Sequence, residues 1–144
     1  MKVTIEKIPS GQEESALIRA MEVTESVRLA AGILENGENT LAGYRDGEKV
    51  LCAYSKIYYI ESVDDKCFVY TKDDCFEVRE RLYELEEMLD YRFFRCSKSM
   101  ICNVKKIRSV KTVANARMQG VLLNGEEIII SRSYIRELKR KLGL

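Results

Sequence analysis

The sequence contains no histidine, and this absence removes more candidate functions than any other feature of its composition. Histidine-based triads, imidazole acid–base catalysis and most zinc, copper or haem sites depend on that side chain. The five cysteines are an odd number without a Cys-x-x-Cys pair, which argues against a disulfide framework and against a zinc ribbon. We therefore expect no enzyme, no catalytic residues, no metal and no cofactor.

Long apolar runs are also missing. No stretch approaches the ~20 apolar residues that cross a bilayer. The first residues, Met1–Lys7, carry charge where a signal peptide has its apolar core. We expect a cytoplasmic location without membrane insertion. A composition of 46% hydrophobic and 33% charged residues indicates a folded globular chain rather than a disordered one.

Acidic residues are scarce in the last third of the chain. From Tyr91 to Leu144 there are 13 Lys or Arg and 3 Asp or Glu, a net charge of +10. The first ninety residues hold 11 basic and 20 acidic residues, a net charge of −9. This split indicates a polyanionic partner, most simply nucleic acid. It is also compatible with a second class, a protein-interaction module whose basic half docks on an acidic protein surface.

Periodicity predicts a small α+β extension over residues 1–44. Alternation in Lys2–Ile8 predicts a half-buried strand that ends at a Pro-Ser-Gly turn. Glu14–Met21 fits a strand or the start of a helix. Apolar spacing predicts a helix over Thr24–Leu34, and Asn36–Gly37 supplies its stop. The apolar face of this helix suits internal packing or a dimer contact.

Residues 45–144 are predicted to form the main domain, after a glycine-containing stretch at 36–47. A helix is expected at 79–90 and another at 133–142. Asn124-Gly125 predicts a two-residue type I′ hairpin, because both central residues of that turn need positive φ. Short antiparallel strands are expected at 50–54, 57–61, 66–71, 75–79, 100–104, 107–113, 121–123 and 128–130.

Six short sequence motifs occur in order within these elements. They are Ile57–Ser62, Arg81–Glu86, Phe93–Val104, Leu123–Gly125, Ile130–Tyr134 and Leu138–Lys139. Together with the order of the elements, these motifs resemble the LytTR family of bacterial DNA-binding domains, and Phe93–Val104 resembles the family's F-x-R-x-H-x-S-x-x-V-N block. Each motif alone is weak, but six in the same order across residues 45–144 are specific.

The resemblance implies a mainly β fold, an elongated β-β-β sandwich of antiparallel sheets with short helices. It implies a sequence-specific transcriptional regulator whose loops enter successive major grooves of duplex DNA. The sequence departs from the family at Ser97, where the family has histidine. Only 44 residues precede the match, too few for the receiver domain that most members carry, so we expect a stand-alone regulator.

Three side chains are candidates for contacts with base edges. Arginine and lysine donate to O6 and N7 of guanine, and such contacts need a donor residue whose backbone is fixed. Arg132 follows a strand and begins a helix, and it matches the family's base-contacting arginine. Lys98 and Lys66 match two further DNA-contacting loop positions of the family. A surface ion pair is the alternative for Arg132, and ordinary surface exposure for the two lysines.

A second group has side chains of the kind that hold phosphates. For Asn103 a structural turn bond is an equal alternative, and Tyr134 is equally compatible with the core. Cys96 and Cys102 lie within the basic block, so we weigh redox control through a thiol pKa lowered by nearby cations against buried, inert thiols. The phosphate candidates are Ser97, Ser99, Asn103, Lys105, Ser131, Ser133 and Tyr134.

The expected partner is double-stranded DNA at promoter sites, with binding sites arranged as paired repeats. Proteins that recognise paired half-sites often associate, so the extension is a candidate dimerisation element and a homodimer is expected.

Overall fold

The computed structural model describes residues 1–37 and 39–144 and divides into two units, Met1–Glu38 (unit 1) and Asn39–Leu144 (unit 2). Unit 1 contains one α-helix among its described residues, α1, Glu25–Asn36. The Thr24 hydroxyl accepts a hydrogen bond from the Val27 N–H at 3.3 Å, and Gly37 ends the helix with a φ of 80°. The predicted helix and its two end signals are therefore confirmed.

The strand predicted at Lys2–Ile8 is wrong. These residues have no regular secondary structure, and the side chains of Val3 and Ile5 are 75% and 92% exposed. A strand needs a neighbour to receive its backbone hydrogen bonds, and unit 1 supplies none among its described residues. Glu14–Met21 also lacks a helix or strand. The described part of unit 1 is thus helix and irregular chain.

Unit 2, described throughout, forms ten strands and two α-helices. The helices are α2, Leu82–Met88, and α3, Ile135–Leu142. Strand β1 lies in the glycine-containing stretch 36–47, where the boundary of the main domain is predicted and of which Glu38 lies outside the described residues. The strands are β1 Thr40–Arg45, β2 Glu48–Ala53, β3 Tyr59–Val63, β4 Lys66–Tyr70, β5 Cys75–Val78, β6 Phe93–Ser97, β7 Met100–Asn103, β8 Ile107–Thr112, β9 Met118–Leu122 and β10 Glu127–Ile130.

All strand pairs are antiparallel, which confirms the mainly β class. One sheet has the order β2-β1-β5-β4-β3-β7-β6, and a second sheet has the order β10-β9-β8. The β1–β2 hairpin joins the first sheet through a single pairing, Tyr44 with Glu77. Strands β3 to β7 therefore form a central layer between the hairpin and the second sheet.

Two buried cores lie on the two faces of this central layer. The alternation of side chains along a strand separates neighbours, so Ile101 enters the first core and Cys102 the second. The hairpin and α2 cover the first core with Leu41 and Leu85. The second sheet and α3 cover the second core, where Leu138 is fully buried. Two cores on one central layer give the predicted β-β-β sandwich.

The hairpin between β9 and β10 occurs where Asn124-Gly125 predicted it, but the type I′ turn is wrong. Gly125 has a φ of 89°, whereas Asn124 has no positive φ. The Gly125 N–H donates to the Leu122 carbonyl at 2.9 Å, and the Leu122 N–H donates to the Glu126 carbonyl at 2.8 Å. The loop therefore has three residues with glycine in the left-handed position, the next most common hairpin type. No helix among the described residues combines the length and apolar character of a membrane crossing.

Gly43 in β1 is a glycine that packing requires. A Cβ atom there would contact the Phe76 ring and lie 2.6 Å from the Glu77 carbonyl oxygen. We expect Gly43→Ala to lower the free energy of unfolding of unit 2 by about 1–3 kcal/mol, since the added carbon overpacks a backbone contact. All eight tyrosines lie in unit 2, so urea unfolding followed by tyrosine fluorescence measures this unit. Gly32→Ala in α1, with open space around its Cβ, is the matched control and should leave the tyrosine transition unchanged.

Candidate nucleic-acid interface

Two loops that carry candidate lysines meet at one end of the central layer. Strand β3 pairs with β7 through Glu61 and Met100, so the turn after β3 lies beside the turn before β7. The Ser62 N–H donates to the Ser99 carbonyl at 2.7 Å and joins the two turns directly. Lys66 begins β4 and Lys98 lies between β6 and β7, and both side chains are exposed. The fold thus brings together two residues that are 32 positions apart in the sequence.

A β-bulge in β6 connects this end to the second sheet. Arg95 pairs with Ile101 and Ser97 with Met100, so Cys96 is an extra residue without a partner on β7. Its carbonyl accepts a hydrogen bond from the Ser131 N–H at 2.9 Å. Bulges redirect a strand locally in this way. The residue after Ser131 is Arg132, which therefore lies near the turn that carries Lys98.

The backbone that carries Arg132 is rigidly held, as contact with a nucleobase edge requires. It begins a 3-10 turn, Arg132–Tyr134, that leads directly into α3. The Tyr134 N–H donates to the Ser131 carbonyl at 2.9 Å, and Leu138 fixes α3 in the second core. The Arg132 side chain is exposed. Its backbone is held while its guanidinium group is open to solvent.

The loop between β8 and β9 adds residues that the sequence did not identify. Asn115 and Arg117 line an open groove together with Ser131, Arg132 and Ser133. Pairing of Met118 with Ile130 brings this loop to the end of β10. Asn115 has a φ of 63° and Ala116 a φ of 58°, and the Arg117 Nε donates to the Ala114 carbonyl at 3.3 Å. The turn was visible in the sequence, but the strand pairing that places it beside Arg132 was not.

We call Lys66, Lys98, Arg117 and Arg132 the basic end. It is not uniformly basic, because Asp64 and Asp65 lie exposed in the turn that leads to Lys66. Both aspartates adopt a left-handed backbone, with φ values of 51° and 63°. Aspartate tolerates this conformation better than most residues. The result is a cationic surface with two anionic side chains next to one of its lysines.

Four of the candidate serines lie at the basic end. Ser97 and Ser99 flank Lys98, and their hydroxyl oxygens are 3.5 Å apart. The Ser99 N–H also donates to the Ser97 hydroxyl at 3.3 Å. Ser131 and Ser133 flank Arg132 and line its groove. Each pair surrounds one candidate base-contacting residue.

Asn103 is buried and forms hydrogen bonds within the protein. It is 1% exposed, and its side-chain amide nitrogen donates to the Ile57 carbonyl at 2.9 Å. Its side-chain oxygen accepts from the Lys105 N–H, also at 2.9 Å. The amide thus ties the end of β7 to the segment before β3. The structure therefore supports the structural alternative for Asn103, because both ends of its buried amide are already bonded within the protein.

Lys105 and Tyr134 also differ from the other candidates. Lys105 follows β7, whereas Lys98 precedes it, so a four-residue strand separates the two. The Lys105 ammonium instead lies 6.0 Å from the centre of the Tyr91 ring. Tyr134 is half-buried against the second core. The structure therefore supports the packing alternative for Tyr134 and does not bring Lys105 to the basic end.

The proposed redox-sensitive thiols are buried. Cys96 and Cys102 are both 0% exposed. Burial raises the pKa of the Cys96 thiol to about 12 and raises the pKa of Cys102 well above its ordinary value, although Arg95 acts in the opposite direction on Cys96. The hypothesis of a thiol pKa lowered by nearby cations is wrong, because desolvation exceeds that attraction. Among the described residues, no three Cys, Asp or Glu side chains are arranged to hold a metal.

Comparisons with known proteins give a family match, two similar bacterial proteins and a similar solved structure. The family model described as "LytTr DNA-binding domain" matches residues 47–143. An uncharacterized HTH-type transcriptional regulator of Staphylococcus aureus is 29% identical over 106 residues, which cover 74% of this chain and 72% of that protein. The sensory transduction protein LytT of Enterococcus faecalis is 30% identical over 95 residues, which cover 65% of this chain and 39% of that protein. A solved LytTr DNA-binding domain from Bacillus cereus superposes with a TM-score of 0.70 at 26% identity, over 75% of this chain and all of that one.

The burial of the thiols predicts their order of reaction. Cys75 is partly exposed, whereas the other four cysteines are buried. At pH 8 a thiol-specific reagent should label Cys75 first, and Cys96 and Cys102 only at the rate at which the native fold opens, because protonated, buried thiols are poor nucleophiles. Peptide mass mapping over time measures the order, and Cys75→Ser should remove the fast phase. Labelling of Cys96 as fast as that of Cys75 would contradict the described burial.

Proposed function

The chain belongs to the LytTR family of DNA-binding domains, and on that premise we propose that it regulates transcription by binding specific duplex sequences through the loops of its basic end. The observation that carries this proposal is the convergence of Lys66, Lys98 and Arg132. Two backbone hydrogen bonds, Ser62 to Ser99 and Ser131 to Cys96, hold the three loops together. The family is one of DNA-binding domains rather than of enzymes.

Loops rather than a helix contact the bases in this proposal. A helix-turn-helix places two consecutive helices against DNA. In unit 2 the helices α2 and α3 are separated by the five strands β6 to β10. Three of the four basic residues of α3, Lys139–Lys141, lie in its last turn, away from the Arg132 end, and only Arg136 lies in its first turn. The exposed loops at the basic end therefore enter the major groove, and their spread over several strands suits contacts with successive grooves.

Arg132 makes the main base contact. Its guanidinium group offers a planar pair of donors that matches O6 and N7 of guanine, and this match contributes about 1–3 kcal/mol of discrimination. Lys98 and Lys66 extend the contact along the groove as single cationic donors. Lysine discriminates less sharply because its ammonium group rotates freely.

Phosphate contacts fix the position of these donors on the duplex. Arg117 and the hydroxyls of Ser97, Ser99, Ser131 and Ser133 surround the base-contacting residues and have suitable donors. Asp64 and Asp65 repel phosphates from one side of the basic end. This repulsion lowers non-specific affinity and makes correct base contacts a larger share of the binding free energy.

We also propose that unit 1 joins two copies of the chain, so that a dimer binds paired repeats. The support is its exposed apolar side chains, since patches of this kind mark association sites. Leu34 on α1 is 62% exposed, and Met21 before it is fully exposed. The others are Met1, Val3, Ile5, Ile8, Leu17, Val23 and Ile33.

Sedimentation velocity of the full chain tests the dimer. We expect a dimer at micromolar concentration and a shift to monomer for Leu34→Glu, because a carboxylate cannot enter an apolar contact. Leu51→Glu in β2 is the matched control, since Leu51 is 68% exposed but lies in unit 2. Dissociation by salt with no effect of Leu34→Glu would favour instead a charge-driven contact between the acidic and basic halves.

For DNA binding we expect Arg132→Ala to weaken binding to the preferred duplex by about 1–3 kcal/mol, with little effect on a scrambled duplex. The preferred duplex is obtained by selection from a random pool with the wild-type protein. Fluorescence anisotropy at several salt concentrations measures both affinities. The proposal fails if the wild-type protein selects no consensus, or if Arg132→Ala binds both duplexes like the wild type.

Two further variants separate the kinds of contact. Arg117→Ala should weaken both duplexes equally and reduce the slope of log affinity against log salt by about one, as loss of a phosphate contact does. Lys72→Ala removes the same charge from the exposed turn at the opposite end of β4 and should have little effect on either affinity.

A further inference from the structure

The turn that carries Lys98 is held by the side chain of Arg95. The Arg95 Nε donates to the Ser97 carbonyl at 2.9 Å, and one terminal nitrogen donates to the Lys98 carbonyl at 2.5 Å. The other terminal nitrogen forms an ion pair with Glu86. One guanidinium group thus binds the backbone carbonyls of Ser97, at the end of β6, and of Lys98, in the turn, together with a carboxylate on another element.

The three contacts of Arg95 depend on the shape of an arginine side chain. A guanidinium group presents its donors in a fixed plane, and here three nitrogens each meet a different acceptor. Glu86 also has a fixed place, because its neighbour Leu85 in α2 is fully buried in the first core. The Arg95 side chain is only 22% exposed. The turn is therefore anchored through Arg95 to α2 as well as to its own strand.

We propose that Arg95, oriented by Glu86, is a positioning residue that sets where Lys98 meets a base edge. This inference rests on the proposed function, because it assigns Arg95 a role in the base recognition made by Lys98. Arg95 acts through the turn rather than on DNA, since its donors are directed at protein acceptors. It lies at the start of the bulge at Cys96, so the same few residues fix Lys98 and, through the Cys96 carbonyl, Arg132.

A positioning role and a purely stabilising role have different consequences. A partly exposed ion pair contributes little to stability on its own, so a stabilising role predicts small and equal effects on every DNA. A positioning role predicts loss of preference for the selected duplex while the charge-dependent affinity stays the same. Lysine at position 95 retains the charge but cannot bridge three acceptors in one plane. Arg95→Lys therefore isolates geometry from charge.

The experiment compares Arg95→Lys with Arg45→Lys, using the wild-type-selected duplex and its scrambled version. Arg45 is the matched control, because it forms an ion pair with Asp74 in a turn at the opposite end of β4. For Arg95→Lys we expect the ratio of selected to scrambled affinity to fall about tenfold, in the range of one lost base contact. The scrambled affinity, the salt slope and the melting temperature should stay close to wild type. Arg45→Lys should keep the full ratio.

Glu86→Gln provides a second arm and covers the case in which Arg95→Lys does not fold. It leaves Arg95 in place but removes its charged partner, so we expect a fall in the ratio of about two- to threefold, with altered amide chemical shifts at Ser97–Ser99. A wild-type protein that selects no consensus would refute the proposed function itself. A wild-type consensus that Arg95→Lys and Glu86→Gln both recognise with an unchanged ratio would overturn this inference alone.

Discussion

The arrangement of the basic end depends on one backbone irregularity, the bulge at Cys96. The bulge releases the Cys96 carbonyl from β7, and that carbonyl binds the Ser131 N–H of the chain leaving β10. At the same place the Cys96 side chain enters the second core with no exposed surface. A single residue therefore joins two sheets by its backbone and anchors the joint by its side chain. Without the extra residue, β6 would pair regularly with β7, and the loop of Arg132 would lose its contact with the loop of Lys98.

The net charge of a sequence segment does not describe which charges the structure exposes on one surface. The net charge of +10 in the last third includes residues that do not face a common partner. Arg92 is 8% exposed and pairs with Asp90 at 2.8 Å, and Lys141 donates to the Tyr91 carbonyl at 2.6 Å. Conversely, Glu86 from the acidic half supports the turn of Lys98. The proposed DNA-binding surface is thus a small set of exposed loop residues, and several other charges form contacts within the protein.

Much of the fold was predictable because it follows from local patterns. The alternation of apolar and polar residues predicted the positions of most strands to within a few residues. The Asn-Gly pair predicted the position of the last hairpin, although of these two residues only Gly125 has a positive φ. The prediction of a strand at Lys2–Ile8 failed because alternation does not supply a pairing partner. Strand β1 was missed because Gly43 interrupts its apolar pattern, and only the approach of Glu77 and the Phe76 ring explains that glycine. For the interface, Lys66, Lys98 and Arg132 were chosen from the sequence and lie together in the fold. For Asn103 two alternatives stayed open at the level of sequence, because burial cannot be predicted from a polar side chain.

The sequence by itself determined the family, the antiparallel β class and the identity of the exposed basic loops. These depend on periodicity, turn residues and short sequence motifs in a fixed order, which are properties of short segments. Only the tertiary structure decided which loops meet, because that depends on strand order and on one bulge. Contacts such as Ser62 with Ser99, Ser131 with Cys96 and Arg95 with Glu86 join residues 9 to 37 positions apart. No local pattern encodes them, since each depends on how two separate cores pack against one central layer.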